Sequence, residues 1–502
     1  MSVLAAVDIG SNALRLAIGS VDLRRRLTAV ESYREPIRLG ADVFTSGEIS
    51  PALTLRTIAA LQRFKALLNR HHARRVRVVA TSAVREARNR DSFIREIQEQ
   101  TGLQITIISG QEEARLIHLA VQHKVNLKRG LSLLVDIGGG SIELSLVWRG
   151  DVVVSDSVKM GTVRLLNLLE ERARGQALFT RLVRDYAHGI RQQVEKEVRG
   201  RHVELCVGTG GNIEALGELR VSLLGKRNSD HLTVPDLRSI TRKIQRLSCD
   251  ERISRLGLRP DRADVIVPAG IVLRQILEHA GVTEMRIPRV GLKDGLLIDM
   301  VADAAPGRPA AHQRQVLTYA REVGRRFSFD ESHGEQVSKF AGQLFDATKR
   351  LHRLTHEHRL LLEVAALLHD IGHFVSSANH HKHSAYLLRA TPFLGLSDEA
   401  RSLIALIARY HRKSPPSLEH AEFADISPSD RRVVQQLAAL LRIADGLDRE
   451  HARRVRSIEV EVRRGRVKLR MRGRGDMLLE RWAVNRRRPL FEKIFKVQLV
   501  LR

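Results

Sequence analysis

The sequence predicts a layered α/β protein of two duplicated halves, followed by an all-helical region and a small basic α+β unit at the C-terminus. Three observations carry this. The phrase AVDIGSNALRLAIG at residues 6–19 returns as LVDIGGGSIELSLV at residues 134–147. A stretch dense in alanine, proline and glycine, VADAAPGRPAAH at residues 301–312, separates mixed strand and helix signals from long helical patterns and reads as a linker. The end of the chain alternates apolar and charged residues about a glycine, in SIEVEVRRGRVKLRMRG.

Taken in order, the first half opens on the buried strand signal VLAAVDIG, and VRVVATS and ITIISG follow, with helical periodicity between them as in FIREIQEQTG. The second half repeats the plan with SLLVDIGGG, IELSLVW and VELCVGTGG, and adds a helical pattern over residues 180–200. Such a mixture argues for layers of helix on sheet. Past the linker, helical patterns run to about residue 450, and the closing alternation, turning at Gly465, reads as a β-hairpin. A chain of 502 residues is too long for one core, and these breaks divide it at 1–125, 126–305, 306–452 and 453–502.

Apolar residues make up 43% of the chain, which supports globular cores rather than disorder. Two cysteines, Cys206 and Cys249, offer neither a zinc cluster nor a disulfide framework and fit a reducing compartment. Asp8 interrupts the apolar start before a signal-peptide core can form, and no 18-residue uncharged apolar run occurs, so a cytoplasmic protein without a membrane partner is expected. The formal charge is +27, from 84 Lys and Arg against 57 acids, and points to a strongly anionic partner. Residues 453–502 hold 17 of those cations against five acids, a surplus of twelve. Nucleic acid, a polyphosphate chain or an anionic membrane surface meets such a surface.

Each copy of the repeated phrase is a buried strand, an Asp at its end, a glycine-bearing turn and a returning strand. Turns of Gly and Ser let backbone N–H groups approach an anion closely. The first offers Ser11 and Asn12, and the second Gly138, Gly139, Gly140 and Ser141, so two such turns in one chain imply phosphate gripped from two sides. Asp8 and Asp136 stand where a carboxylate can hold Mg²⁺ or another divalent ion beside the phosphate. On the returning strand the same position is Arg15 in one copy and Glu143 in the other, a guanidinium for phosphate against a second carboxylate for metal. A third glycine turn, VGTGGNIEALG, places Gly208 and Gly210 at the start of a helix, where phosphate is attracted. It is not a dinucleotide fingerprint, and no Walker A sequence occurs, which disfavours Rossmann and P-loop enzymes. In IISGQEEARL, Ser109 and Glu112 have capping-box spacing, which occupies Glu112 with the helix N-terminus and leaves Glu113 free to orient or deprotonate a water.

The duplicated DIG loops resemble the phosphate-binding loops of the actin, hexokinase and acetate kinase superfamily. More narrowly, VDIGSNALRL, ATSAVREARN, SGQEEARL, LVDIGGGSIEL and GTGGNIEAL, in this order, resemble the exopolyphosphatase and guanosine pentaphosphate phosphohydrolase family across residues 1 to about 300. The resemblance implies two actin-like (ribonuclease H-like) domains, 1–125 and 126–305, then an HD-like helical domain and the small basic domain. It carries the catalytic base onto Glu113, metal and loop positions onto Asp136, Gly138 and Glu143, and phosphate contacts onto Arg15, Arg85 and, more loosely, Arg262. The implied reaction is Mg²⁺-dependent hydrolysis of the terminal phosphate of inorganic polyphosphate. Guanosine pentaphosphate is the other substrate implied, and a homodimer the expected assembly.

In the helical region, LLHDIGH supplies His369 and Asp370, resembling the HD pair of metal-dependent phosphohydrolases, with His333 upstream and Asp445 downstream completing an H…HD…D set. His411 and the cluster His380, His381 and His383 add nitrogen donors for a second metal site. Two further readings stay open: a non-enzymatic binder of polyphosphate or RNA, against which the intact Glu113, Asp136 and Glu143 argue, and a kinase, which would pass phosphate to an acceptor instead of water.

Overall fold

The computed structural model describes residues 2–170, 200–303 and 308–502, except Leu23, together with scattered positions between 171 and 199. The helix expected over 180–200 and the centre of the expected linker, 304–307, lie outside the described residues. The chain forms two compact units, Met1–Arg308 and Pro309–Arg502.

In the first unit the duplication is one of topology as well as sequence. Strands β1 (Ser2–Ile9), β2 (Leu14–Val21), β3 (Leu27–Glu35), β4 (Arg75–Ala80) and β5 (Ile105–Ile107) form a sheet of order β3-β2-β1-β4-β5. The second sheet holds β6 (Leu131–Ile137), β7 (Ile142–Trp148), β8 (Asp151–Val158), β9 (Leu205–Thr209), β10 (His231–Thr233) and β11 (Glu284–Arg286) in the order β10-β11-β9-β6-β7-β8. Without β10, the orders are the same. In each sheet the first two joints are antiparallel hairpins and the next is parallel. The central strands are apolar along their length, as strands covered on both faces must be. Val7, Ile9, Leu14 and Leu16 pack with Phe64 of α1 (Pro51–Arg70) and Phe93 of α2 (Arg90–Thr101). Burying each such side chain contributes about 1.5–3 kcal/mol. The second core joins Leu133, Val135 and Leu144 to helices that follow β9.

Helix α3 (Gly110–Lys124) enters after β5, α4 (Gly211–Leu224) after β9, and α5 (Leu292–Asp303) closes the unit. Helix α5 packs back on the first sheet. A Cβ on Gly295 would collide with the Leu116 backbone, so only glycine lets α5 cross α3 this closely. The buried Asp299 then binds Arg115 at 3.0 Å and Arg77 at 2.6 Å.

The second unit is mainly helical. It contains α6 (Glu331–Ala347), α7 (His356–Leu368), α8 (His380–Ala390), α9 (Asp398–Arg409), α10 (Pro428–Gly446) and α11 (Leu478–Phe495). The basic segment is folded, not a tail. Strands β12 (Val455–Arg463) and β13 (Arg466–Gly473) form the expected hairpin with Gly465 at φ 72°, β14 (Gln498–Leu501) adds in parallel to β13, and Val484 and Phe491 of α11 are buried. Among the described residues, no helix is long and apolar enough to cross a membrane.

Candidate active site

The hairpin register decides what the two loops present. Asp8 pairs with Arg15 across β1 and β2, and Asp136 pairs with Glu143 across β6 and β7. The same two positions therefore face the same way in both copies, carrying an acid and a base in one and two acids in the other.

The loops abut. A Cβ built on Gly139 would stand 3.2 Å from Ser11 Cβ and 3.4 Å from Asn12 Cβ, and one on Gly140 would stand 2.6 Å from the Phe44 ring and 2.9 Å from Ser11 Oγ. Glycine at both positions is what allows the approach. The turns are closed by Gly10 N–H donating to Ala13 O and Gly138 N–H donating to Ser141 O. Between the sheets lies a cleft of about 510 Å³ whose lining includes Asp8, Glu113, Asp136, Arg15, Arg262 and Lys293.

Strand ends supply a second pair of loops. Thr81 and Ser82 follow β4 as Gly210 and Gly211 follow β9, and both pairs line the cleft. Ser82 Oγ is 2.8 Å from Ser11 Oγ. Gly210 has φ 94°, and a Cβ there would sit 2.9 Å from Ile137 O, so this turn requires glycine twice over. Gly208 is different: it lies inside β9, where a side chain would meet Ile213 and Met285, and it serves packing away from the cleft lining.

Four carboxylates cluster, three of them buried and Asp136 half-buried. Glu113, in the first turns of α3, joins Asp136 and Glu143 with one oxygen of each within 4.8 Å of the others, and Asp8 is buried nearby. Glu143 Oε1 accepts from Ser141 Oγ at 2.6 Å and Ser157 Oγ at 2.9 Å, and Asp136 Oδ1 accepts from Thr209 Oγ1. Asp8 Oδ1, Glu113 Oε2 and Glu143 Oε2 have no hydrogen-bond partner. Burial pushes the Asp8 carboxyl up to about 6 and that of Glu143 to about 7, and raises Asp136. It also raises Glu113 well above the ordinary range, with the Glu143 charge adding to the effect and Arg85 opposing it. The capping box expected at α3 forms by half: Ser109 Oγ accepts from Glu112 N–H, but the Glu112 carboxylate turns to Arg115 in a bidentate pair at 2.7 Å. A charged partner three residues on outcompetes the helix terminus.

Opposite the carboxylates stand cations. Burial, then the neighbouring Arg15 charge, lowers Arg262 to about 9. Arg262 donates to Asn212 and Arg34 pairs with Asp261, which fixes the two guanidiniums. Arg85, donating to Ile108 O at 2.6 Å, lies beyond the cleft lining, but its charge reaches Glu113 and Glu143. Sequence reasoning did not find Ser82, Asn212, Arg259, Arg289 or Lys293, all of which line the cleft. For Ser82 and Asn212 a signal existed, since both follow a strand end in ATSAVR and GTGGN. The other three carry no local pattern.

In the second unit His333, His369, Asp370 and Asp445 converge. His333 Nε2 lies 3.9 Å from Asp370 Oδ2 and 3.8 Å from Asp445 Oδ1, and His369 Nε2 lies 3.5 and 3.8 Å from the same oxygens. His380 and His411 approach Asp370 as well, whereas His381 has no contact with it among those described.

The Ppx/GppA phosphatase family profile matches residues 18–304, and the profile of that family's domain III matches residues 317–483. Among solved structures, an exopolyphosphatase from Cytophaga hutchinsonii is 23% identical at a TM-score of 0.56, over 61% of this chain and 99% of that one. A Ppx/GppA family member from Aquifex aeolicus is 24% identical at 0.50, with the same coverage. An exopolyphosphatase-like protein is 25% identical at 0.52, over 60% of this chain and 97% of that one. The paired actin-like sheets and the helical unit fit these likenesses of fold.

Proposed function

Because the chain belongs to the Ppx/GppA phosphatase family, whose members are phosphohydrolases, we propose that it is an exopolyphosphatase, removing the terminal phosphate of inorganic polyphosphate with Mg²⁺ and releasing orthophosphate. One observation carries the reading: four clustered carboxylates, three with an orphaned oxygen, lie beside Arg15 and Arg262 at one cleft, whose lining includes Asp8, Glu113 and Asp136. Neither set is stable alone. The acids are short of positive charge and the guanidiniums of negative charge, and a divalent cation with a polyanion satisfies both.

The donor set fits Mg²⁺, which takes hard oxygens. Asp136, Glu143 and Asp8 would hold it, and when bound it would offset charge on the phosphate oxygens. The chain's own residues supply the rest. Arg15 and Arg262, with the N–H groups of the Gly138–Ser141 turn and of the turn at Ser11 and Asn12, bind and orient the terminal phosphate. Glu113 Oε2, free of hydrogen bonds, takes a proton from water as the water oxygen bonds to phosphorus and the bridging P–O bond breaks. The raised affinity of Glu113 for protons makes it a stronger base than a solvated glutamate.

The excess of cations favours a long polyanion over guanosine pentaphosphate. The test is initial phosphate release by the purified full chain with Mg²⁺ on long-chain polyphosphate and on guanosine pentaphosphate. Faster release from polyphosphate is expected. The reverse order would assign the cleft to the nucleotide, and binding without release from either would make the protein a non-enzymatic binder.

A further inference from the structure

The glycine turn between β6 and β7 has no side chains to decide which way its peptides face, and a cation outside the cleft lining helps to decide it. We propose that Arg164 is a positioning residue for the reaction. It holds the Gly140 peptide so that the Ser141 N–H faces the terminal phosphate, and Glu86 and Phe44 from the half built on the first sheet hold Arg164 in turn. The assignment rests on the phosphatase reading above.

In a trans peptide the C=O and the following N–H point in opposite directions. A turn therefore offers its N–H groups to an anion only when its carbonyls are engaged on the other side. Three consecutive glycines impose no preference of their own. Here all three carbonyls are engaged. Gly138 O accepts from Thr162 N–H at 3.1 Å, Gly139 O from Val163 N–H at 2.9 Å and Arg164 N–H at 3.1 Å, and Gly140 O from Gly161 N–H at 3.2 Å. These donors open the helix Thr162–Glu170 or stand just before it. The N–H groups of Gly139, Gly140 and Ser141 are thereby turned away from that helix, in residues that line the cleft, and make no hydrogen bond among the described residues. The start of the helix is pinned as well, since the buried Asn212 donates to Thr162 Oγ1 at 2.9 Å and accepts from Arg262.

The Gly140 peptide is the one held by a charged side chain. Arg164 Nε donates to Gly140 O at 3.0 Å while Arg164 Nη2 donates to Glu86 Oε1 at 2.8 Å. The guanidinium carbon lies 3.9 Å from the centre of the Phe44 ring, the ring that also closes on Gly140. Glu86 ends the helix Ser82–Glu86 that follows β4, and Phe44 lies in the helix Leu39–Ser46. A planar guanidinium presents its N–H groups in fixed directions, so one edge reaches the turn as the other reaches Glu86. Arg164 lies outside the cleft lining and its charge is matched by Glu86. It acts on the phosphate through a peptide, not by contact.

The effect belongs to kcat. As the bridging P–O bond breaks, charge gathers on the phosphate oxygens, and a fixed N–H dipole acts most strongly there. Arg15 and Arg262 attract the phosphate before and during the step alike, which sets KM.

The test is Mg²⁺-dependent tripolyphosphate hydrolysis by the full chain, comparing wild type, Arg164→Lys, Glu86→Ala and the double variant. An ammonium keeps the charge but cannot serve Gly140 O and Glu86 from one plane. Arg164→Lys is expected to lower kcat about 10- to 100-fold with KM within about threefold, less than the loss of a whole donor because Gly161 N–H remains on Gly140 O. Glu86→Ala, which leaves Arg164 unanchored, is expected to lower kcat about 3- to 10-fold, and the double variant no further than Arg164→Lys alone. A kcat within about twofold of wild type in folded Arg164→Lys, or a KM that rises while kcat holds, overturns the positioning role. If Arg164→Lys does not fold, Glu86→Ala decides by the same criterion. Fully additive effects of the two substitutions overturn the anchoring by Glu86. A wild type that releases phosphate from neither tripolyphosphate nor guanosine pentaphosphate overturns the phosphatase reading and this assignment with it, whereas an active wild type with unaltered variants overturns this assignment alone.

Discussion

Glu143→Gln removes a buried charge that the first unit holds at a cost without a cation. Burial raises the Glu143 carboxyl from an ordinary 4.5 to about 7. The folded-state value lies above the unfolded one, so the associated stability is complete below about pH 4.5 and is lost as the pH rises through about 7. At about 1.4 kcal/mol per pH unit, the gap corresponds to about 3 kcal/mol in cation-free protein at pH 8. For the unit Met1–Arg308, an unfolding entropy of about 0.65 kcal/mol/K turns this into about 5 °C. Thermal unfolding of wild type and variant in EDTA, at pH 5 and pH 8, reads this effect together with the relief that loss of the Glu143 charge gives Glu113. Part of the loss is already complete at pH 5, so between pH 5 and pH 8 the wild type is expected to fall about 4 °C relative to the variant. Mg²⁺ at pH 8 should raise the wild type by more. A difference between the two proteins that stays constant across this range in EDTA refutes the reasoning, since the buried carboxyl would then ionise without penalty.

Glu113→Gln keeps the side-chain shape but accepts no proton, and should lower phosphate release about 10²- to 10⁴-fold while equilibrium binding of polyphosphate persists; release within threefold of wild type would remove Glu113 from the base role. Arg464, Arg466 and Arg474 are exposed on the hairpin and the turn after it, and changing all three to Glu should weaken long-chain polyphosphate binding and flatten its salt dependence. Tripolyphosphate turnover should not change, and an unaltered long-chain salt slope would count the hairpin charge as surface only. Deletion of residues 453–502 is no substitute, because it strips Val484 and Phe491 from a buried core and Arg487 from Asp445. His369→Ala with Asp370→Ala should leave phosphate release from short polyphosphate intact; loss of that activity in a folded double variant would move the chemistry to the helical unit.

The parts of this molecule written locally were legible. A strand, an Asp, a glycine turn and a returning strand make one hairpin, so reading the phrase twice set Arg15 and Glu143 at matching positions of two hairpins, and the register adds that they pair with Asp8 and Asp136. The turn at Gly465 and the alternation around it were equally local. What the sequence hid depends on partners far along the chain. Glu112 satisfies every local rule of a capping box, yet Arg115, itself anchored by Asp299 from α5, takes its carboxylate. Lys293 and Arg289 enter the cleft only because α5 crosses back to the first sheet. His380 and His411 were visible as donors, but their pairing on the far oxygen of Asp370 arises from the meeting of α8 with the end of α9.

The one-letter difference between the two copies then has a physical reason. With Glu at both returning positions, the site would gather five carboxylates and lose a guanidinium from the cleft lining. With Arg at both, the group formed by Glu113, Asp136 and Glu143 would lose a carboxylate and gain a cation. Either symmetric version leaves a buried excess of one sign. Asymmetry sets the Arg15 guanidinium beside Asp8 in one copy against Asp136 and Glu143 in the other, so charge of both signs stands where the two duplicated loops come within van der Waals contact.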